Sequence, residues 1–102
     1  MIKDIDVKYI EIVGTPRTIS NKMNVEIQFG QEGNLVGAQN TKIKDSDGSR
    51  IFFNSMVDAL NFMDKYGYKY LDSYITSANE TTTYHYILIK KREEEIVSEN
   101  YE

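Results

Sequence analysis

The N-terminal part of the chain alternates between apolar and polar residues, and this period of two predicts β-strands. Residues 5–13 form the first predicted strand, in which one face carries Ile5, Val7, Tyr9 and Val13 and the other carries Ile10 and Ile12. Gly14 and Pro16 are predicted to end it, because proline lacks an amide donor and glycine adopts turn dihedrals easily. Residues 23–29 form the second predicted strand, which has one apolar face and one polar face that is expected to contact water.

The middle of the chain is polar and rich in glycine, which predicts connections rather than core. Residues 30–40 contain Gly30, Gly33 and Gly37 and are expected to form a mobile loop. Two short apolar stretches then flank residues 45–49, whose aspartates and Gly48 are typical of a turn. This pattern predicts either a short hairpin or an irregular extended segment that leads into a helix.

The apolar period changes to that of a helix over residues 55–66. Ser55 is a favoured N-cap residue, and Asp58 three positions later forms with it a pair that resembles a capping box. The buried stripe of this helix is predicted to consist of Met56, Ala59, Leu60 and Met63. Gly67 is predicted to close the helix, because glycine readily takes the left-handed conformation at that position.

Two further strands are predicted at residues 68–77 and 83–91. The connection between them, residues 78–82, is short enough to require an antiparallel hairpin. The second of these strands is apolar on both faces over residues 84–89, a pattern typical of a strand that is central in its sheet or has its second face covered. An acidic tail, residues 93–102, is expected to be frayed or weakly helical.

The order of these elements, ββαββ, predicts an α+β fold with a four-stranded, mainly antiparallel sheet and the single helix packed on one face. A chain of 102 residues fits one domain, here residues 1–92 followed by the acidic tail. One helix covers only part of such a sheet, and the first and last strands carry apolar residues on both faces. We therefore expect self-association, most simply as a twofold dimer.

Charge and composition narrow the possible function classes. The formal net charge is −4 and the pI is about 5.0, so the chain lacks the basic footprint of a nucleic-acid-binding protein. There are no cysteines, which excludes disulfides and thiolate chemistry. Charges interrupt the apolar residues of the N-terminus, so we expect no signal peptide or membrane span and a cytoplasmic location.

The second half of the chain resembles known proteins. Residues 53–63, the step from Gly67 to an aromatic residue, and residues 84–88 followed by two lysines are similar to a group of small proteins of Bacteroides-type bacteria. The part from Leu60 through Gly67 to the last strand is also similar to DUF4177-like domains, in which a helix, a Gly-aromatic step and a hairpin recur. Those domains usually have Trp after the glycine, where this chain has Tyr68. The resemblance implies a small cytoplasmic α+β fold and supplies no catalytic residues.

Two local patterns suggest chemistry, and each has a structural alternative. Asp45, Asp47 and Gly48 have the spacing of a calcium-binding loop, but an EF-hand alignment puts Ile43 and Asn54 where the first and last carboxylates belong. A turn explains them better, and no metal is expected. The only histidine, His85, can act as a general base in principle. Without a recognisable nucleophile or metal, a structural role in the sheet explains it better.

Aromatic residues form the densest cluster of candidate site residues. The predicted interface or ligand surface consists of Tyr68, Tyr70, Tyr74, Tyr84, His85 and Tyr86. Whether Tyr74 shares a face with Tyr84 and Tyr86 depends on the hairpin register, which stays open at this point. Such a surface fits a subunit interface, where tyrosine is enriched, or a platform for a flat ligand.

The expected function is a non-catalytic interaction or assembly module that self-associates through its sheet. The net negative charge gives no support to a nucleic-acid partner, and neither a membrane partner nor a cofactor is expected. The alternative is a small-ligand-binding domain whose pocket is rich in tyrosine.

Overall fold

The structure is a computed structural model that describes residues 6–17, 20–30, 42–44 and 47–100. Its elements are β1 (Tyr9–Pro16), β2 (Met23–Gln28), α1 (Met56–Asp64), β3 (Tyr68–Ala78), β4 (Thr81–Lys90) and α2 (Glu93–Asn100). The strands form one antiparallel sheet in the order β2-β1-β4-β3, which confirms the predicted α+β fold. The acidic tail, expected to be frayed or weakly helical, contains α2.

The sheet buries one face beneath α1, and we call this the helix-covered face. Its buried residues alternate along the strands and are Ile10, Ile12, Val25, Ile27, Tyr68 and Leu88. Met56, Ala59 and Met63 of α1 complete the core with Ile43 and Phe53. We call the opposite side the open face; it carries Tyr9, Glu11, Val13, Tyr74 and His85. The predicted assignment of first-strand residues to opposite faces of the sheet is thereby confirmed for residues 9–13.

The bounds of β1 differ from the prediction. The strand continues to Pro16, so Gly14 lies inside it rather than in a turn. A Cβ atom at Gly14 would lie 2.2 Å from Sδ of Met56, which means that α1 packs directly against this glycine. The expectation that Gly14 ends the strand is therefore wrong, because the glycine permits close helix packing instead of chain reversal. Ile5 lies outside the described residues.

The caps of α1 agree with the sequence pattern. Ser55 Oγ accepts a hydrogen bond from the Asp58 amide (3.1 Å), and Asp58 Oδ2 accepts one from the Asn54 amide (3.0 Å). This arrangement differs from a standard capping box only in that the carboxylate reaches one residue further back. Gly67 has a φ of +87°, as predicted, and lies two residues after the C-cap Lys65. The chain can therefore turn directly from the helix into β3.

The hairpin of β3 and β4 is tighter than predicted. Only Asn79 and Glu80 separate the two strands, with φ values of 52° and 66°, whereas a connection over residues 78–82 was expected. Two positive φ values are typical of a type I′ turn, whose twist matches that of the flanking strands. The sequence does not predict this turn, because its two central residues, Asn79 and Glu80, do not include the usual glycine. β4 lies between β1 and β3, so its predicted central position is confirmed.

The segment before α1 runs along the outer edge of β2. Isolated bridges join Glu26 to Lys42, Met23 to Phe53, and Lys44 to Arg50. The antiparallel bridge between Lys44 and Arg50, with the Ile51 amide donating to the Ile43 carbonyl oxygen (2.8 Å), corresponds to the predicted short hairpin, although neither arm forms a regular strand. The predicted loop beyond Gly30 and the aspartate at position 45 lie outside the described residues.

Candidate interaction surface

The register of the hairpin places the predicted site residues on different sides of the sheet. Tyr74 pairs with His85, and residues that pair across antiparallel strands share a face. Tyr74 and His85 therefore lie together on the open face, while Tyr84 and Tyr86 alternate with His85 and lie on the helix-covered face. The question that the sequence left open has a clear answer, since Tyr74 does not share a face with Tyr84 and Tyr86.

Tyr68 belongs to the core and not to an exposed surface. It is 1% exposed, and its hydroxyl donates a hydrogen bond of 2.6 Å to the Val7 carbonyl oxygen. Burial raises the pKa of the Tyr68 phenol, because the ionised form would lose its hydration. The side chain thus connects the start of β3 with the segment that precedes β1.

Tyr70 and Tyr86 contact each other on the helix-covered face. Their ring centroids are 5.8 Å apart in an edge-to-face arrangement, which aromatic pairs favour. The Tyr70 hydroxyl lies 2.9 Å from the hydroxyl of Ser73. Tyr84 and Tyr86 pack against the core and are partly buried, while Tyr70 is exposed. These three tyrosines form an aromatic patch at the border of the core.

A polar network of Glu11, Tyr74, Thr76 and His85 lies on the open face. Glu11 Oε1 accepts a hydrogen bond from His85 Nδ1 (3.1 Å), and Glu11 Oε2 accepts one from the Tyr74 hydroxyl (2.9 Å). His85 Nε2 lies 2.9 Å from Thr76 Oγ1. Because an ionised carboxylate only accepts, Nδ1 carries a proton, and in a neutral ring Nε2 then accepts from the Thr76 hydroxyl.

Tyr74 is held in place by both its ring and its hydroxyl. The ring stacks on His85 with centroids 4.3 Å apart and planes 5° from parallel. The hydrogen bond to Glu11 raises the pKa of the Tyr74 phenol, because an ionised phenol would face a carboxylate. The network therefore fixes Tyr74 as a neutral hydrogen-bond donor on the sheet surface.

The order of hydroxyl, imidazole and carboxylate in Thr76, His85 and Glu11 is that of a nucleophilic triad. Sequence reasoning missed these partners of His85, because only the strand register brings residues so distant in the chain together. Acyl transfer also needs donors aimed at a developing oxyanion. On this strand surface the side chains instead satisfy one another, and Tyr74 covers one side of the imidazole. Through these contacts His85 of β4 is linked to Glu11 of β1 and to Tyr74 and Thr76 of β3.

β3 forms one edge of the sheet and carries much of the exposed apolar surface. Its large exposed side chains are Tyr70 (50%), Leu71 (49%), Tyr74 (45%) and Ile75 (62%). A β-bulge between Tyr70 and Asp72 interrupts its pairing with β4. The opposite edge differs, because β2 forms bridges with Lys42 and Phe53.

The hydrogen-bond pattern identifies the residues of β3 whose backbone groups point away from β4. The Lys91 amide, just after β4, donates to the Gly67 carbonyl oxygen (2.7 Å), just before β3. The backbone groups of odd-numbered β4 residues therefore point towards β3. Beyond the bulge, the partners of odd-numbered β4 residues are Asp72, Tyr74 and Thr76. The backbone groups that point towards the free edge therefore belong to Ser73, Ile75 and Ser77. The Asp72 carboxylate accepts from the Ser73 amide (2.8 Å), which covers one of these donors.

No group of three or more His, Asp or Glu within the described part of the chain is arranged to hold a metal ion. Ile43, which takes the place of the first calcium ligand in the EF-hand alignment, is fully buried. Within residues 6–17, 20–30, 42–44 and 47–100, no helix has the length and hydrophobicity needed to cross a membrane.

Comparisons with known proteins yield no relative. No protein-family model, no curated protein and no solved structure matches the chain. The similarity to DUF4177-like domains therefore rests only on the residues quoted for it, and function has to be inferred from geometry.

Proposed function

We propose that the protein is a non-catalytic cytoplasmic interaction module that self-associates through its sheet, by pairing the free edge of β3 with the same edge of a second copy. The observation that carries this proposal is the position of Ile75. It is 62% exposed, lies on an edge strand, and directs its backbone groups away from β4. An edge strand with unpaired backbone groups and an exposed apolar side chain is a template for the addition of another strand.

A second copy suits this edge in both charge and symmetry. Residues 73–78 contain no charged side chain, so two copies of this stretch meet without like-charge repulsion. An antiparallel pair about a twofold axis at Ile75 places the two Ile75 side chains together and each Ser73 opposite a Ser77. All three residues lie on the helix-covered face, so the two sheets join with matching faces.

Two features of β3 favour a dimer over an open-ended assembly. Asp72 covers the Ser73 amide, and the bulge before it interrupts the regular backbone. Charges and bulges of this kind limit uncontrolled pairing at sheet edges. Because the β2 edge is already bridged by Lys42 and Phe53, pairing through β3 ends at two copies. So short an interface buries less than about 1,200 Å², and the expected dimer is weak and reversible.

Sedimentation velocity over a concentration series tests the proposal. The wild-type chain is expected to shift from monomer to dimer in the micromolar to millimolar range. Ile75→Lys is expected to abolish this shift, because a lysine at the axis brings two positive charges together. Val57→Lys is the matched control, since Val57 is also β-branched and 62% exposed but lies on α1. It is expected to dimerise like the wild type.

Two outcomes would contradict the proposal. One is a wild-type chain that stays monomeric at the highest concentration tested. The other is an Ile75→Lys variant that dimerises as well as Val57→Lys, which would place the interface elsewhere on the molecule.

The alternative, a small-ligand site among the tyrosines, is supported by the contact between Tyr70 and Tyr86 beside the core. It is weakened by the division of the tyrosines, because Tyr74 lies on the opposite face and Tyr68 is buried. A thermal-shift screen of metabolites separates the two hypotheses, since a ligand specific for the folded state raises the melting temperature. A hit that is lost in Tyr86→Ala and kept in Tyr74→Ala would favour the ligand site.

A further inference from the structure

Two arginines from separate segments face the same phenylalanine beside the β1–β2 connection. The Cζ atom of Arg17 lies 4.1 Å from the ring centroid of Phe52, and the Cζ atom of Arg50 lies 5.1 Å from it. Arg17 directly follows β1, where its amide donates to the Lys22 carbonyl oxygen (3.1 Å). Arg50 and Phe52 belong to the segment along the β2 edge. The fold thus brings two guanidinium groups to one aromatic ring.

The side chain of Arg50 carries a donor that the described residues do not satisfy. Its Nε atom is buried and has no hydrogen-bond acceptor. The ion pairs of Lys69, Lys90, Lys91 and Arg92 do not involve Arg17 or Arg50. A buried charged donor without an acceptor is costly, and native structures nearly always give such a group a partner from the protein, an ordered water molecule or an ion.

We propose that Arg17, Phe52 and Arg50 form a binding site for a phosphate oxyanion, either inorganic phosphate or the phosphomonoester of a small molecule. A guanidinium group presents its donors as a planar fork, and two such forks offer more donors than the two oxygens of a carboxylate can use. A phosphate group supplies additional acceptor oxygens and a larger negative charge. Stacking on Phe52 holds both cations in position before the anion arrives.

The surrounding charges favour a small anion over a polyanion. Lys44 pairs with Arg50 across a bridge and adds positive charge beside the site. Asp47 is an acidic residue of the same turn, and its Oδ1 accepts from the Ser49 amide (2.9 Å). The net charge of −4 repels an extended phosphate backbone, whereas a single phosphate meets mainly the local field of the arginines.

Titration of the full chain with inorganic phosphate, followed by two-dimensional nitrogen-proton NMR at constant ionic strength, tests the site. Saturable shifts are expected at the Arg50 and Arg17 Nε–Hε signals and at the Phe52 amide. Arg17→Gln and Arg50→Gln are each expected to weaken binding about tenfold or more, as loss of a charge-assisted hydrogen bond predicts. Arg92→Gln is the control, because Arg92 bonds Glu95 elsewhere on the molecule, and it is expected to leave binding unchanged.

Two further ligands identify the source and class of the anion. Phenyl phosphate that binds at least as tightly as inorganic phosphate supports a phosphomonoester ligand, and preference for the inorganic ion supports free phosphate. Acetate that binds as tightly as phosphate would overturn the assignment to phosphate. The absence of saturable shifts, or equal binding by the wild type and Arg17→Gln, would overturn the site itself. If Arg50→Gln fails to fold, the Arg50 Nε–Hε signal of the wild type and the Arg17→Gln variant still decide the question.

Discussion

The two ends of the β3–β4 hairpin differ in what they contact. At the base, Tyr68 and Leu88 are buried beneath α1. Towards the turn, Tyr74 and Ile75 are 45% and 62% exposed. One continuous pair of strands therefore contributes to the core at one end and presents an apolar edge at the other. The comparison shows that a strand's sequence pattern does not by itself reveal how much of the strand the rest of the fold covers.

Polar contacts reinforce the base of the hairpin. The buried Lys91 places its Nζ 2.5 Å from Asp64 Oδ1 at the end of α1. Lys90 Nζ donates to the Asp6 carboxylate, and this contact lowers the pKa of Asp6 and raises the pKa of Lys90. The base is thus connected both to the helix and to the segment before β1. The turn end has the open-face network of Glu11, Tyr74, Thr76 and His85 instead.

The largest effect is expected from replacing the tyrosine at the base. Tyr68→Ala removes a buried ring and is expected to lower the free energy of unfolding by about 3–5 kcal/mol. Tyr70→Ala, two residues along the same face, is expected to cost about 1 kcal/mol, because Tyr70 is 50% exposed and loses mainly its contact with Tyr86. Urea denaturation of both variants measures the difference. Equal losses would mean that the base and the exposed part of β3 contribute alike to stability.

A smaller change of opposite sign is expected at the turn. Glu80 has a φ of +66°, a conformation in which a residue with a Cβ atom is strained. Glu80→Gly is expected to raise the free energy of unfolding by about 0.5–1 kcal/mol, because relief of the strain outweighs the larger backbone entropy that glycine loses on folding. Glu80→Ala keeps the Cβ atom and serves as the control in the same denaturation experiment. Stabilisation by alanine of the same size would show that charge, and not backbone conformation, is responsible.

The smallest effect is expected at the contact between β3 and α2. Lys69 Nζ lies 2.5 Å from Glu95 Oε2. The pKa of Glu95 is lowered from 4.5 to about 2, mainly by this hydrogen bond and further by the hydrogen bonds from Arg92. Because the folded-state pKa is depressed, the stabilising contribution is complete above pH 4.5 and is lost as the pH falls towards 2. NMR titration of the Glu95 side-chain carboxyl carbon measures the pKa directly.

Lys69→Met separates the ion pair from the rest of the environment of Glu95. In this variant the Glu95 pKa is expected to rise towards its ordinary value, because its main hydrogen-bond partner is lost. Exposed ion pairs contribute little to stability, so the melting temperature at neutral pH is expected to change only slightly. An ordinary Glu95 pKa in the wild type would contradict the contact.

Local patterns predicted most of the fold. The alternation of residues 23–29 identified β2, and the cap residue Ser55 identified the start of α1. The two-faced apolar pattern of β4 identified its central position. The errors have physical causes: Gly14 serves helix packing rather than a turn, and the turn at Asn79 and Glu80 takes positive φ values without glycine.

The candidate surface was less predictable than the fold. The tyrosines were identified by type, but their exposure depends on contacts with residues distant in the chain. Tyr68 is buried because Val7 accepts from its hydroxyl and the core surrounds its ring. His85 contacts Glu11 of β1 and Thr76 of β3, and these contacts between strands leave no pattern in the sequence.

The sequence by itself determined the element types, the helix cap, the antiparallel hairpin and the class of fold, because these depend on residues close together in the chain. Only the tertiary structure decided which face carries Tyr74, which tyrosine is buried, which sheet edge remains free, and that Arg17 and Arg50 meet at Phe52. The physical reason is that strand register and long-range packing place side chains together. Sequence periodicity specifies a face but not the neighbour that meets it.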